Sequence, residues 1–493
     1  VGPITWGFPK PFHLQQQNAM TLSLSAKRWF LFALACSLPL AESAASGAGT
    51  FRRRTNPAPI RPIKAPFEMP QLQRPIWPEK TFEIPSYGAK PDAEQKNTEA
   101  IRRAITACAE AGGGTVRVPE GRWLTGPVHL KSGVRLEIEK GGELIFADDI
   151  PDYLPAVETS RDGFDCYNYS PLIYAVDCTN VAVTGRGKVT CKRDRWKEWD
   201  ERTQSQLDAM ASLYYMAADG VPVEKRQMAN DQARLRPQLI QFLRCTNVLV
   251  EGLTIRNSPF WTIHPVKSER IIIRELDVQC RGHNTDGVDP DQSRFVLLED
   301  CVFDQDDDAI VIKAGRNQDG WRGRPSENIV IRNCTIKRGH TLLAIGTEVS
   351  GGVRNVYLHD CRNSGDTVSQ ALLIKTNHRR GGFIENITMK NTTCDEVSRG
   401  LIEIQTDVFY VWKTLVETRE RRLTRIQGIH VENVHAQKAK NGLIIKGEKE
   451  LPVRDVTLKN ISVKELTDAA RVVSNVEGVR EEHVAFGKSA HGD

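Results

Sequence analysis

Apolar positions along this chain recur as a short phrase rather than as helical faces. The phrase runs turn residue, apolar, any, apolar, two polar, then an inward small or apolar residue. It reads Asn247-Val-Leu-Val-Glu-Gly-Leu253-Thr-Ile255, then returns at Arg270–Val278, Phe295–Phe303, Asn328–Ile336, Asn355–Cys361, Asn386–Thr392, Gly428–Val434 and Asp455–Val463, with successive starts 23 to 42 residues apart. Each phrase alternates like a half-buried strand, breaks at the polar pair and resumes. Helical solenoids need a 3.6-residue period and leucine-rich repeats a fixed leucine spacing, and neither is present. Short strands at this spacing, joined by loops of variable length, predict an all-β fold, a right-handed parallel β-helix in which each coil stacks on the last. Such a stack needs a capped end. Asn97–Ala111 predicts the N-terminal cap, a short helix with Ile101, Ala104, Ile105 and Cys108 on one face. Gly112-Gly-Gly114 ends it, and Thr115–Val118 begins the coils.

The coils are expected over 80–465, with a C-terminal tail over 466–493. The chain before them reads differently. Met20 opens a stretch with Lys27 and Arg28, the apolar run Trp29–Cys36 and the small residues Ala41-Glu-Ser-Ala-Ala45. That order is a secretory signal peptide over 20–45, with 1–19 upstream of the start and 46–79 a lead-in rich in proline and arginine. A secreted or periplasmic protein follows. No segment past residue 50 is apolar enough to span a membrane. A net charge of +5 over 493 residues is too small for a nucleic-acid protein but suits an acidic polymer. Beyond Cys36 the cysteines form no CxxC pair, which argues against zinc. Cys301, Cys334 and Cys361 share one repeat position and predict an internal ladder of small hydrophobes. A monomer is expected.

Stacking turns sequence spacing into geometry, because equivalent positions of neighbouring coils lie ~4.8 Å apart. Asn284-Thr-Asp286-Gly-Val-Asp289, Asp306-Asp307-Asp308, Gly339-His340 and Lys375 fall on four consecutive coils. Hydrolysis of a glycosidic bond needs one carboxylic acid and a second carboxylate, and crowding aspartates raises the pKa of at least one. One aspartate there would be an ordinary turn residue; the set, with His and Lys alongside, points to chemistry.

From about Phe82 to Val463 the chain resembles glycoside hydrolase family 28, the polygalacturonases. The resemblance begins at the cap, Tyr87-Gly-Ala-Lys-Pro-Asp92 and Asn97-Thr-Glu-Ala-Ile101, and continues through Asn257-Ser-Pro-Phe-Trp261-Thr-Ile-His264. It is carried most specifically by Asn284-Thr285-Asp286, by Asp307-Asp308 followed by Ala-Ile-Val-Ile-Lys313, by Gly339-His340-Thr341, and by Ile345-Gly-Thr-Glu348-Val-Ser-Gly-Gly352. It implies an inverting hydrolase acting on a pectic polysaccharide or oligogalacturonide, without cofactor or metal. Asp307 would be the general acid, and Asp286 and Asp308 would hold and deprotonate the water. His340 would tune the acid, Lys375 bind a uronate carboxylate and Asn284 orient sugar or water. Two departures stand out. The family's Arg-Ile-Lys is here Leu373-Ile374-Lys375, so the lost guanidinium is expected to be replaced by Arg379 or Arg380, or the sugar differs, as in the rhamnogalacturonan hydrolases of the same family. Asp306 precedes the pair and is expected to cap a turn. His283 reads as a loop residue, Tyr410 and Trp412 equally as packing residues or as rings that stack on a sugar, and the insertion Trp196–Pro237 as a segment able to block one end of a groove. Competing readings are a calcium-dependent pectate lyase and a non-catalytic carbohydrate-binding β-solenoid.

Overall fold

In the computed structural model, which describes residues 58–487, the phrases stack as parallel strands. The first face of the coil runs from Thr81–Glu83 through Gly114–Val118, Val134–Ile138 and Thr179–Gly185 to Thr246–Glu251, and on to Val476–Phe486. Val248, Ile271, Val296, Ile329, Val356, Ile387, Ile429 and Val456 form one inward column in unbroken register. The residue that opens each of the eight phrases has φ between 54° and 69°. A left-handed step favours Asn, Asp or Gly, and stacked asparagines such as Asn328, Asn355 and Asn386 bond one another at 2.8 and 3.2 Å. The turn residue of the pattern is thus a backbone requirement.

The expected cap is an α-helix over Thr98–Glu110, with Ile101, Ala104, Ile105 and Cys108 buried. Gly113 follows at φ 101°, where a Cβ would stand 2.6 Å from the Gly133 carbonyl oxygen. The cysteine ladder forms as thiols: Cys301, Cys334 and Cys361 are free and buried, and the Cys334 amide donates to the Cys361 sulfur at 3.5 Å. At the far end the structure corrects one boundary. In place of a tail from 466, Arg471–Ser474 and Val476–Phe486 form a further coil in parallel register, with Arg471–Ser474 exposed throughout. Residues 1–57, with the leader expected at 20–45, lie outside the described residues.

The described part of the lead-in, from residue 58, acts as a strap. Ala182, Leu249, Ile272, Leu297 and Val330 form an apolar column on the outside of the first face, and Ile60, Ile63, Phe67, Leu72 and Trp77 cover it. Beside it runs a charge column, Glu251, Arg274, Glu299 and Arg332. Arg274 donates to Glu251 at 2.7 Å and to Glu299 at 2.8 Å, and also to the Ala58 carbonyl, while Arg332 reaches the carbonyls of Arg61 and Pro62.

A third face carries Ile173–Val176, Ile240–Leu243, Ile263–Val266, Val311–Ile312, Thr341–Ile345 and Gln370–Lys375. Bridges at Val288 and Asp291 make this stack continuous. Two segments cross its outer surface, the antiparallel hairpin Val157–Asn168 and an insertion holding the helix Gln204–Ala218. They share a small separate core, in which Phe164, Met210, Leu213 and Tyr214 pack with Trp412 from the loop 406–424.

Candidate active site

Asp286, Asp307 and Asp308 stand just before the third-face strands of adjacent coils. Backbone bonds fix the offsets. The Thr262 amide donates to the Asp286 carbonyl at 2.8 Å, Gly287 to Asp308 at 3.0 Å, and Ala309 to Thr341 at 3.2 Å. Asp286, Asp308 and Thr341 therefore stack in one column. The His340 amide donates to the Asp307 carbonyl at 3.0 Å, which puts Asp307 and His340 in the adjoining column. Together they line a cleft of about 390 Å³ with Asn284, Lys375, Trp261, Tyr410 and Trp412.

Each aspartate has a different surrounding. Asp307 is nearest the mouth, its side chain 13% exposed against 5% for Asp286 and 3% for Asp308. It accepts from the amides of Asn284 and Asp308 and lies 3.2 Å from His340 Nδ1. Burial works against its charge, but the His340 contact and Lys375 overcome that and hold the carboxyl well below the usual range. The Asp307 contact in turn raises His340 to about 9. Asp308 accepts from Lys375 Nζ at 2.8 Å and from Thr341 Oγ1 at 2.6 Å. Thr341, next to His340, thus supplies a hydroxyl to this carboxylate. Burial opposes the charge on Lys375, and Asp308 restores it. Asp286 is pushed up to about 8 by burial and then by the Asp307 charge, and Asp289 beside it is pushed up by burial and then by Asp286, so this pair favours a proton where Asp307 does not.

Behind Asp286 lies a second layer of charged side chains, to which the motifs alone assign no role. Lys313 Nζ is 3.8 Å from Asp286, 3.6 Å from Asp289 and 3.3 Å from Glu348, and it sits 4.2 Å over the Trp261 ring. Burial opposes this ammonium, and Glu348, itself held well below the usual carboxylate range, does most to keep it charged. Both Lys313 and Glu348 fall within the motif stretches, and their period-two placement on the third face was the available signal. Gly346 separates Lys313 from Lys375 because a Cβ there would lie 1.9 Å from the Lys375 carbonyl oxygen.

The remaining expected residues divide. Asn284 and Lys375 join the cleft, whereas Arg379 and Arg380 do not. Arg379 donates to the Trp412 carbonyl and Thr418, and Arg380 to the Thr347 carbonyl and Asn317, both buried in the scaffold. Their expected role as a replacement clamp is corrected: the strand ends at Lys375, and the chain beyond it turns into the loop packing. Leu373 leaves an apolar patch on the cleft wall, and Arg399, paired with Glu403 at 2.7 Å, reaches the same wall. Asp306 faces away, accepting from the Gly282 amide at 3.0 Å and lying 3.7 Å from Arg281. Tyr410, 62% exposed, and Trp412 line the cleft, as does His283.

Asp307, Asp308 and His340 bring ligand atoms within 4.8 Å of one another, the one such grouping of metal-ligand type among the described residues. Calcium takes six to eight oxygens. Here Lys375 occupies one Asp308 oxygen and Asp306 is turned outward, so the donor set suits proton chemistry better than a calcium lyase.

A groove with clustered carboxylates across stacked coils is the build of a glycosidase, and the comparisons narrow the class. The sequence model of the glycosyl hydrolases family 28 matches residues 216–485, more than half of the chain. A crystal structure of a hyperthermoactive exopolygalacturonase from Thermotoga maritima is 37% identical and superposes with a TM-score of 0.77, covering 84% of this chain and 94% of that one. The probable polygalacturonase of Vitis vinifera is 26% identical over 413 residues, 80% of this chain and 77% of the relative. The exo-poly-alpha-D-galacturonosidase of Dickeya chrysanthemi is 25% identical over 391 residues, 73% and 62%. This chain belongs to glycoside hydrolase family 28 and is an enzyme that hydrolyses glycosidic bonds.

Proposed function

We propose that this protein hydrolyses galacturonate-containing polysaccharide by inverting displacement and works from a chain end. The observation that carries the reading is the division of labour among the three aspartates. Asp307, at the mouth and touching His340, is placed to protonate the glycosidic oxygen. Asp286 and Asp308, one coil apart and deeper, are placed to hold a water and take its proton. An inverting pair stands ~6.5–9.5 Å apart to admit that water, and a one-coil rise, a lateral step of one residue and the splay of the side chains together can supply that room. The cluster needs one proton to act as acid and one ionised carboxylate to act as base. In the empty cleft the proton rests on the pair Asp286 and Asp289. A bound uronate adds negative charge and excludes water beside Asp307, which draws the proton to the mouth. The glycosidic C–O bond then breaks as water adds to the anomeric carbon.

Work from a chain end is supported by the crossing segments. Arg202 stands beside His283, before the third-face strands, while the helix that follows packs on Phe164 and Trp412 across the groove. The hairpin crosses as well, its Gly163 carbonyl accepting from the Arg316 amide at 2.8 Å. These contacts favour a groove shut toward the earlier coils. Two of the relatives above are named as exo-acting. Action outside the cytoplasm fits the leader read at 20–45.

Incubated with polygalacturonic acid in EDTA, the purified protein is expected to release saturated monogalacturonate while the solution's viscosity falls slowly. Products from de-esterified rhamnogalacturonan alone would move the substrate to that polymer and make Leu373 its mark. Unsaturated products that appear only with calcium would overturn the hydrolase. A second expectation concerns pH: kcat/KM falls as the pH rises through 8 to 9, where Asp286 (about 8) and His340 (about 9) give up their protons. A flat profile to pH 10 would separate these two groups from the chemistry.

A further inference from the structure

Six cationic side chains line the cleft: Arg202, Lys313, Arg316, His340, Lys375 and Arg399. Five already hold a carboxylate of the protein. Lys313 and Arg316 hold Glu348, His340 holds Asp307, Lys375 holds Asp308, and Arg399 holds Glu403. Arg202 is the exception among the described residues. It is exposed, and its Nη2 donates to His283 Nε2 at 3.0 Å. A guanidinium has only donors, so that imidazole nitrogen accepts and the ring is neutral. Burial and the neighbouring Arg202 both press the His283 pKa down, in agreement. His283 therefore steers the guanidinium without cancelling its charge. Behind it the other arginines are committed: Arg193 and Arg236 to Asp200, and Arg161 to Asp162 at 3.5 Å over the Phe260 ring. The blocked end of the cleft is a positive wall with one unspent cation at its surface.

We infer that Arg202, delivered by the insertion, binds the carboxylate of the uronate lodged at the blocked end of the cleft, and so selects for free acid over methyl ester at that position. A guanidinium grips a carboxylate through two parallel N–H donors, which a neutral ester lacks the charge to repay. The family's guanidinium beside Lys375 is missing, and Leu373 takes its place, so carboxylate selection has moved from the third-face strand to a segment about 170 residues earlier in the chain. This inference rests on the hydrolase reading, with Arg202 acting on substrate binding.

The test measures turnover of trigalacturonate and of its methyl ester by the parent and by Arg202→Gln and Arg202→Lys, with thermal melts as a folding control. It also measures calorimetric binding of digalacturonate to Asp307→Asn with and without Arg202→Gln. Loss of one charge-assisted carboxylate contact is worth roughly 10- to 100-fold. Arg202→Gln is expected to lower kcat/KM by that factor on the free acid alone, mostly through KM, and to weaken digalacturonate binding equally. Arg202→Lys should recover part of both. Equal losses on acid and ester, or unchanged digalacturonate binding, would overturn the inference. If the parent cleaves neither compound, the hydrolase reading fails, and the binding arm still decides whether Arg202 holds a carboxylate.

Discussion

Asp307→Asn is expected to fold as the parent does and to lose about 10³-fold in kcat, the contribution typical of a positioned general acid. The two loop amides bond different carboxylate oxygens, Asn284 to Oδ2 and Asp308 to Oδ1, so the amide oxygen keeps one of these bonds and the other is lost. What disappears is the proton for the leaving oxygen and the anion facing His340. KM should change little, because Asp307 is proposed to act on the bond rather than to hold the sugar. His340 reports independently: without Asp307 its pKa should fall from about 9 toward 6.5 in an NMR titration. The sign for stability is the same. A raised histidine stabilises fully below its unfolded value near 6.5 and loses that contribution as the pH passes about 9. At 60% exposure of the imidazole the gain is small. Should Asp307→Asn keep its turnover while Asp286→Asn does not, the acid would be Asp286, a carboxyl that favours a proton in the empty cleft.

The largest loss of stability is expected far from the cleft. Arg274 is 1% exposed and lies between Glu251 and Glu299, themselves nearly or fully buried under the strap. Arg274→Ala would remove the guanidinium between the two carboxylates, leaving Glu251 with Arg74 and Glu299 with Arg332, and would take one of two donors from the Ala58 carbonyl. Removing one partner of a buried ion network costs about 3–5 kcal/mol. The urea midpoint should drop accordingly, and Arg274→Lys should fall between. Turnover per folded molecule should be unchanged, since no residue of the network lines the cleft. A loss below about 1 kcal/mol would mean that water enters beneath the strap and solvates the two glutamates.

What the sequence disclosed follows from what is local. The phrase shows because each coil solves the same problem over nine residues: a left-handed turn, an inward pair, a second turn. The carboxylate cluster was legible because register converts spacing along the chain into distance across it. Arg379 and Arg380 misled because closeness to Lys375 in sequence carries no weight once the strand has ended; the chain there turns into buried loop packing. Arg202 was invisible for the complementary reason. It meets His283 across 81 residues, and the insertion that carries it has no period to register against the coils. The strap likewise lacks a pattern, since its fit depends on an apolar column belonging to other strands. The last described coil reads as a tail because its strands are largely exposed and carry no inward pattern as plain as that of the other coils.

That exposed last coil bears on how the molecule wears. In a solenoid each layer leans chiefly on its two neighbours, so opening proceeds from whichever end is least covered. One end is closed by a helix and strapped along its flank. The other ends in Arg471–Ser474, exposed along its whole length. The coils that hold Asp286, Asp307 and Asp308 lie well inside the stack, with several layers between them and that open end. Heat, denaturant or a protease would unpeel those outer layers first, and the molecule would shorten before it fell silent.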